Sequence, residues 1–95
     1  MTVHVGLLLL TLEIPSAMSL KDKRRVLKSL IDRARRELQV SIAEVGFQNH
    51  LRSATIAIAF VGNSQAVIER ARAKAELLLS DDPRVNTLEI SWEWL

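Results

Sequence analysis

The sequence predicts an α+β domain with the element order βαββαβ. Four segments have the composition or alternation of β-strands, and two have the 3.6-residue periodicity of amphipathic helices. Each helical segment lies between two strand segments, so the chain reads as two overlapping βαβ units. Right-handed crossovers then give a four-stranded antiparallel sheet in the order 4-1-3-2, with both helices on one face, which is the ferredoxin-like arrangement.

Length and composition limit the kinds of protein this chain can be. Its 95 residues are expected to form a single domain, 1–95, around one hydrophobic core. The absence of cysteine excludes disulfide scaffolds, thiolate zinc sites and cysteine nucleophiles. The longest apolar run, residues 5–12, is far shorter than the ~20 residues that span a bilayer, and no basic segment precedes it. We therefore expect a cytoplasmic protein with no membrane partner.

The first half of the chain predicts a strand and a long helix. Residues 2–14 are apolar at both parities, which is typical of a strand buried on both faces, and Pro15 ends it. Ser19 followed three residues later by Asp22 is the N-cap signature of a helix that runs to about Leu38. The apolar side of this helix consists of Val26, Leu27, Leu30, Ile31, Ala34 and Leu38.

The second half predicts a hairpin, a helix and a final strand. Residues 40–47 and 53–61 read as strands joined through the polar run 48–50. Asn63 or Ser64 can cap the second helix, which stops at residues 81–83. Its apolar side consists of Val67, Ile68, Ala71, Ala75 and Leu78. The last strand, 85–95, alternates, and the side chains expected to point inward are Leu88, Ile90, Trp92 and Trp94.

This topology leaves one face of the sheet without helices. The central strands are apolar on both sides, whereas soluble monomers rarely expose apolar patches larger than a few hundred Å². We therefore expect a homodimer that pairs through the open face. The alternative is that twist and long side chains cover the face within a monomer.

Basic residues are concentrated in the first helix. Residues 20–37 contain eight basic and three acidic residues, a net charge of +5, while the rest of the chain has a net charge of −3. Cations in the first turns oppose the helix dipole, so local stability does not favour them, and a phosphate partner such as RNA or the ribosome does. The alternative is a solvated face balanced by pairs such as Asp32 with Arg36 and Arg33 with Glu37. The candidate nucleic-acid-binding residues are Lys21, Lys23, Arg24, Arg25, Lys28 and Arg35.

A second candidate site is the loop end around residues 46–53. Lys23 falls inside the apolar arc of the first helix, so its head is expected to emerge past the sheet edge at this end. The loop-end residues that could bind a small ligand or a protein partner are Gln48, Asn49, His50 and Arg52. Ordinary hydrophilic capping of the loop is the other interpretation. If Glu44 lies on a covered face of the sheet, its carboxylate needs a hydrogen-bond donor. Otherwise it is an edge-strand charge that discourages aggregation, and this second reading is favoured.

No catalytic constellation is visible in the sequence. The two histidines, His4 and His50, are expected at opposite ends of the sheet, and the three isolated glycines form no phosphate-binding loop. We therefore expect no catalytic residue, cofactor or metal. The first strand also lacks the aromatic residues on which RNA-recognition motifs stack bases, so RNA is expected to bind the helix and not the sheet.

The segment PSAMSLKDKRRVLKSLIDRARREL, followed by VSIAEVGFQ, resembles the YlxP-like family of bacterial proteins of unknown function, and the resemblance covers essentially the whole chain. It implies a ferredoxin-like fold, frequent dimerisation and no established activity. The chain departs from the family pattern at Asn49, where Asp is expected, and at Leu51, where Trp is common. The residues that match the pattern are Ser19, Leu20, Lys21, Asp22, Lys23, Arg24, Arg25, Glu44 and Gln48.

Overall fold

The computed structural model describes residues 1–95 and has the predicted element order. The elements are β1 (His4–Glu13), α1 (Leu20–Leu38), β2 (Ser41–Gly46), β3 (Ser53–Gly62), α2 (Gln65–Ser80) and β4 (Asn86–Trp94). The strands form one antiparallel sheet in the order β2-β3-β1-β4, which confirms the predicted ferredoxin-like fold and strand order. Neither helix has the length and apolar character needed to cross a membrane.

The two faces of the sheet differ in burial. Leu8 and Leu10 of β1 are fully buried and lie opposite Ile58 and Ile56 of β3, so these side chains form the layer beneath the helices. Leu7 and the other odd-numbered residues of β1 point to the opposite face and are only partly buried. The predicted burial of β1 on both faces is therefore observed on the helix side only.

Helix α1 starts and ends as its sequence predicts. The Ser19 hydroxyl accepts the Asp22 N–H at 3.0 Å, while the Asp22 carboxylate accepts the Met18 N–H at 3.1 Å. The helix ends where Gln39 adopts a left-handed conformation (φ 52°) and its N–H donates to the Arg35 carbonyl. Both ends are thus fixed by local hydrogen bonds, which set the position of the basic residues between them.

The second half departs from the predictions in two places. Ser64 is the N-cap residue of α2, but Val67 is largely exposed and Leu79 is buried in the core, because the inner side of α2 is centred on Ile68, Ala75 and Leu79. In β4, the register against β1 shifts between Thr11 and Leu12. The expectation that Leu88 points inward is wrong, since this bulge leaves its side chain 60% exposed.

The tryptophans of β4 lie on the helix side of the sheet. Trp92 is paired with Leu8 and Trp94 with Gly6, so both side chains point away from the open face. The Trp92 ring occupies the space over Gly6, where an added Cβ would lie 2.2 Å from the ring. Strand β4 therefore contributes no aromatic side chain to the open face.

A compact turn after α2 is bonded to α1. Asp82 is buried and accepts hydrogen bonds from the Arg84 N–H at 2.9 Å and from the Arg84 guanidinium at 2.8 and 2.9 Å. These hydrogen bonds hold the pKa of Asp82 below its usual 3.8 and raise the pKa of Arg84. The same guanidinium donates to the Ser29 hydroxyl at 3.1 Å, which fixes the middle of α1 to the start of β4.

Candidate functional site

Lys23 is buried at the centre of the loop end. Its side chain is 1% exposed, and its ammonium donates to the carbonyls of Phe47 (2.5 Å), His50 (2.7 Å) and Gln48 (3.4 Å). Three carbonyls for three N–H donors satisfy the ammonium completely. Lys23 reaches the loop end, as predicted, but its head is enclosed by the hairpin and does not emerge past the sheet edge. Its inclusion among the nucleic-acid-binding residues is therefore wrong.

Glu44 is the counter-charge of Lys23. It lies opposite Ile56 in the β2–β3 pair and therefore points to the helix side of the sheet. Its Oε2 is 3.2 Å from the Lys23 ammonium but outside hydrogen-bonding geometry, since the ammonium protons are directed to the carbonyls. The favoured reading of Glu44 as an edge-strand charge against aggregation is wrong, because its side chain lies on the covered helix side of β2. The alternative, that a carboxylate on a covered face needs a donor, is met only in part, since Oε2 has the charge of Lys23 nearby but no hydrogen bond.

Arg52 fastens the hairpin to the turn before α1. Its Nε donates to the Ala17 carbonyl at 3.0 Å, and its own carbonyl accepts the Ile14 N–H at 2.8 Å. Arg52 therefore stabilises the structure of the loop end, whereas the other three residues of the predicted loop-end site are exposed without such contacts from their side chains. These three residues are Gln48, Asn49 and His50.

Phe47 is a surface residue that the sequence analysis missed. Its backbone is left-handed (φ 59°), and its carbonyl accepts both the His50 N–H at 2.9 Å and the Lys23 ammonium. Its ring is 45% exposed and packs edge-to-face on the His50 ring, with centroids 5.1 Å apart. The sequence signal for an exposed ring was an aromatic residue directly before the polar run 48–50. Because Phe47 was assigned to the second strand, this exposure was not predicted.

The remaining basic candidates fall into two groups. Lys21, Arg24 and Arg25, in the first two turns of α1, are exposed and take part in none of the ion pairs of the chain. We call these three residues the free cations of α1. Lys28 and Arg35, by contrast, both approach one carboxylate further along the helix, so their charges are partly balanced.

That shared carboxylate is Asp32. Lys28 lies 2.8 Å from it, and the hydrogen bond between them lowers the pKa of Asp32. Arg35 is 4.0 Å from the same carboxylate and also donates to the Ile42 carbonyl of β2 at 3.1 Å. The predicted pair of Arg33 with Glu37 forms at 3.3 Å, but Asp32 pairs with Lys28 and Arg35 and not with Arg36. The ion pairs within α1 are therefore confined to its later turns.

A shallow groove separates α1 from β2. Its volume is about 390 Å³, and it brings one free cation, Arg24, onto the same surface as Lys28 and Arg35. Across the groove lie Ala43 and Glu44, the residues of β2 that lead toward the hairpin. The groove thus includes Glu44, the residue of β2 that lies 3.2 Å from the ammonium of Lys23.

The two histidines are not part of one site. His4 lies opposite Gly62 at one end of the β1–β3 pair and packs edge-to-face on Trp94, with centroids 6.2 Å apart. His50 precedes Ser53, which lies opposite Glu13 at the other end of the same pair. The structure therefore places them at opposite ends of the sheet, as predicted.

The βαββαβ order and the antiparallel sheet with its single helical layer define a ferredoxin-like α+β domain. Over residues 5–92 the sequence matches the family described as "Protein of unknown function (DUF503)", and the chain belongs to that family. It is 31% identical over 76 residues to the "Uncharacterized protein YlxP" of Bacillus subtilis (strain 168), covering 80% of this chain and 83% of that protein. The resemblance noted in the sequence is thereby confirmed.

The fold also has a counterpart among solved structures. The "De novo designed protein Foldit4" superposes with a TM-score of 0.56 at 12% sequence identity, covering 97% of this chain and 96% of the designed one. At this identity the similarity concerns the fold alone, so it assigns no activity.

Lys23→Met is expected to destabilise the protein by about 2–4 kcal/mol, because it removes the donor from the Gln48 and His50 carbonyls and leaves Glu44 without its cation. The free energy of unfolding can be measured in urea by tryptophan fluorescence. Lys28→Met is the matched control, since Lys28 forms an exposed pair worth about 0–1 kcal/mol. Equal unfolding midpoints for Lys23→Met and the wild type would contradict the structural role of Lys23.

Proposed function

We propose that this protein is a non-catalytic, homodimeric module that binds RNA or ribosomal phosphate through the basic surface of α1. The supporting observation is that the free cations are exposed and form no ion pair. They lie in the first turns of α1, where the helix dipole disfavours positive charge. No intramolecular contact accounts for three such residues, whereas phosphate oxygens supply the negative charge that they lack. Lys23 is not part of this surface.

The groove beside α1 extends the contact with the RNA backbone. Lys28 and Arg35 remain largely exposed although each is close to Asp32, so both can turn to a phosphate at a modest cost. Contacts of this kind position a polyanion without reading its sequence, and their strength depends on salt because phosphates release counterions on binding. The proposed module therefore recognises charge and backbone shape.

Arg24→Glu/Arg25→Glu is expected to weaken binding to a labelled ribosomal RNA fragment by about tenfold or more, because two phosphate contacts become repulsive. Fluorescence anisotropy over a series of salt concentrations measures both the affinity and its salt slope. The slope of log K against log salt should fall in magnitude by about 2, one per lost contact.

Arg70→Glu/Lys74→Glu on α2 is the matched control. Both residues are exposed and unpaired, and the double substitution changes the net charge by the same amount. Equal weakening in the two double variants would reduce the effect to net charge and would refute a binding surface on α1.

The homodimer is proposed to form through the open face of the sheet. Leu7 and Leu9 of β1 lie at its centre beside small side chains of β3, and Val61 at its end is 75% exposed. Strands about 4.8 Å apart, three of nine or ten residues and one of six, give a face of roughly 550 Å². Two copies would bury roughly 1,100 Å², close to the lower limit of stable specific interfaces.

The margin of this face supports a second copy over RNA as its occupant. Glu89 and Glu93 of β4 lie opposite Thr11 and Leu7, so their side chains border the open face along β4. Carboxylates along the margin repel a polyanion, whereas the apolar centre matches an identical apolar centre. The open face and the basic face of α1 are thus suited to different partners.

Leu7→Glu/Leu9→Glu is expected to convert a dimer into a folded monomer, because four carboxylates would have to be buried between the sheets. Light scattering coupled to size exclusion gives the mass, and circular dichroism checks the fold. Leu77→Glu on the exposed side of α2 is the control and should leave the dimer intact. A wild-type protein that is monomeric at micromolar concentration would contradict the proposal.

A further inference from the structure

The structure joins the two sites that the sequence left separate. Lys23 is bonded to the hairpin from within α1, and the next residue, Arg24, lines the groove with Ala43 and Glu44. Three residues of chain, or about 10 Å, separate Glu44 from Phe47. The hairpin that carries the exposed aromatic pair is therefore bonded to the same turns of α1 that carry the free cations.

The aromatic pair is exposed although it is held in place. Phe47 lies outside the hydrophobic core, and its left-handed backbone is a conformation that side chains with a Cβ rarely adopt. The bond from Lys23 to its carbonyl holds the backbone of Phe47, and the edge-to-face contact with His50 orients the ring. The hairpin thus presents an ordered aromatic surface to solvent, which hydrophilic capping does not require.

An ordered aromatic beside phosphate-binding cations is the combination that proteins use for single-stranded nucleic acids. Nucleobases stack on Phe and His rings, while neighbouring cations follow the backbone. In a duplex, the bases are stacked on one another inside the helix and offer no free face to Phe47. An exposed aromatic pair at this position would contribute nothing to the binding of a duplex.

We propose that the ligand is RNA with an unpaired segment, in which a base stacks on the Phe47–His50 pair while the adjacent phosphates bind the free cations of α1. This inference rests on the proposed function and adds the class of RNA to it. The hairpin supplies the preference for unpaired bases, and α1 supplies the charge.

The test compares one mixed-sequence RNA of about a dozen nucleotides, a length within the usual range of single-strand sites, with its own duplex. The wild type is expected to bind the single strand more tightly at equal salt. Phe47→Ala should weaken single-strand binding by about five- to hundredfold, the usual contribution of one stacked base, and leave duplex binding unchanged. Phe47→Tyr, which keeps a ring, should restore the affinity.

One control variant and two further measurements test whether the effect of Phe47→Ala comes from base stacking. Leu77→Ala, a comparably exposed apolar residue on α2, is the control and should change neither affinity. Base protons of the bound single strand should shift upfield in NMR spectra if a base lies on the Phe47 ring. Circular dichroism of Phe47→Ala confirms that the variant is folded.

The results separate this inference from the proposed function. If Arg24→Glu/Arg25→Glu weakens binding while Phe47→Ala does not, the RNA surface stands and the stacking site is refuted. If the duplex is bound as tightly as the single strand, the stacking site is refuted as well. If neither variant affects RNA binding, both proposals fall and the surface is left to a protein partner.

Discussion

The position of the β2–β3 hairpin against α1 depends on one buried ammonium group. Lys23 crosses from α1 to the β2–β3 hairpin and donates to three of its carbonyls, with Glu44 as counter-charge. A buried charge is costly unless its hydrogen bonds are complete, so the hairpin and the helix are stable only in the relative position that completes them. The contacts of Arg52 with Ala17 and Ile14 secure the same end of the molecule from the other side.

The basic residues of α1 have different environments because they lie at different angles around the helix axis. Lys23 shares the inner stripe with Leu27, Leu30 and Ala34, whereas each neighbour is turned by about 100° toward the groove or solvent. A count of basic residues therefore overstates the charge available to a partner. One lysine is enclosed and Lys28 and Arg35 share Asp32, whereas Arg36 and the three free cations of the first turns form no ion pair.

Local patterns were sufficient to predict the architecture but not the site. Periodicity and the Ser19 cap fix the elements, and the βαβ order fixes the strand arrangement. The prediction that Leu88 points inward failed because a bulge of one extra residue cannot be recognised in an alternating sequence. The burial of Lys23 depends on carbonyls 24 to 27 residues away, and the left-handed backbone of Phe47 is not encoded by its residue type. Glu44 was misread because its partner, Lys23, was expected at the surface.

A designed protein with the same fold and 12% identity shows why function must be argued from such contacts and not from topology.

The hydrogen exchange rate of the His50 amide tests the role of Lys23 most directly. In the wild type this N–H donates to the Phe47 carbonyl, the same atom that accepts the Lys23 ammonium. In Lys23→Met, exchange at His50 should accelerate by a larger factor than exchange at the β1–β3 amides, which report loss of overall stability. An unchanged rate at His50 would show that the hairpin is ordered without Lys23 and would contradict this account.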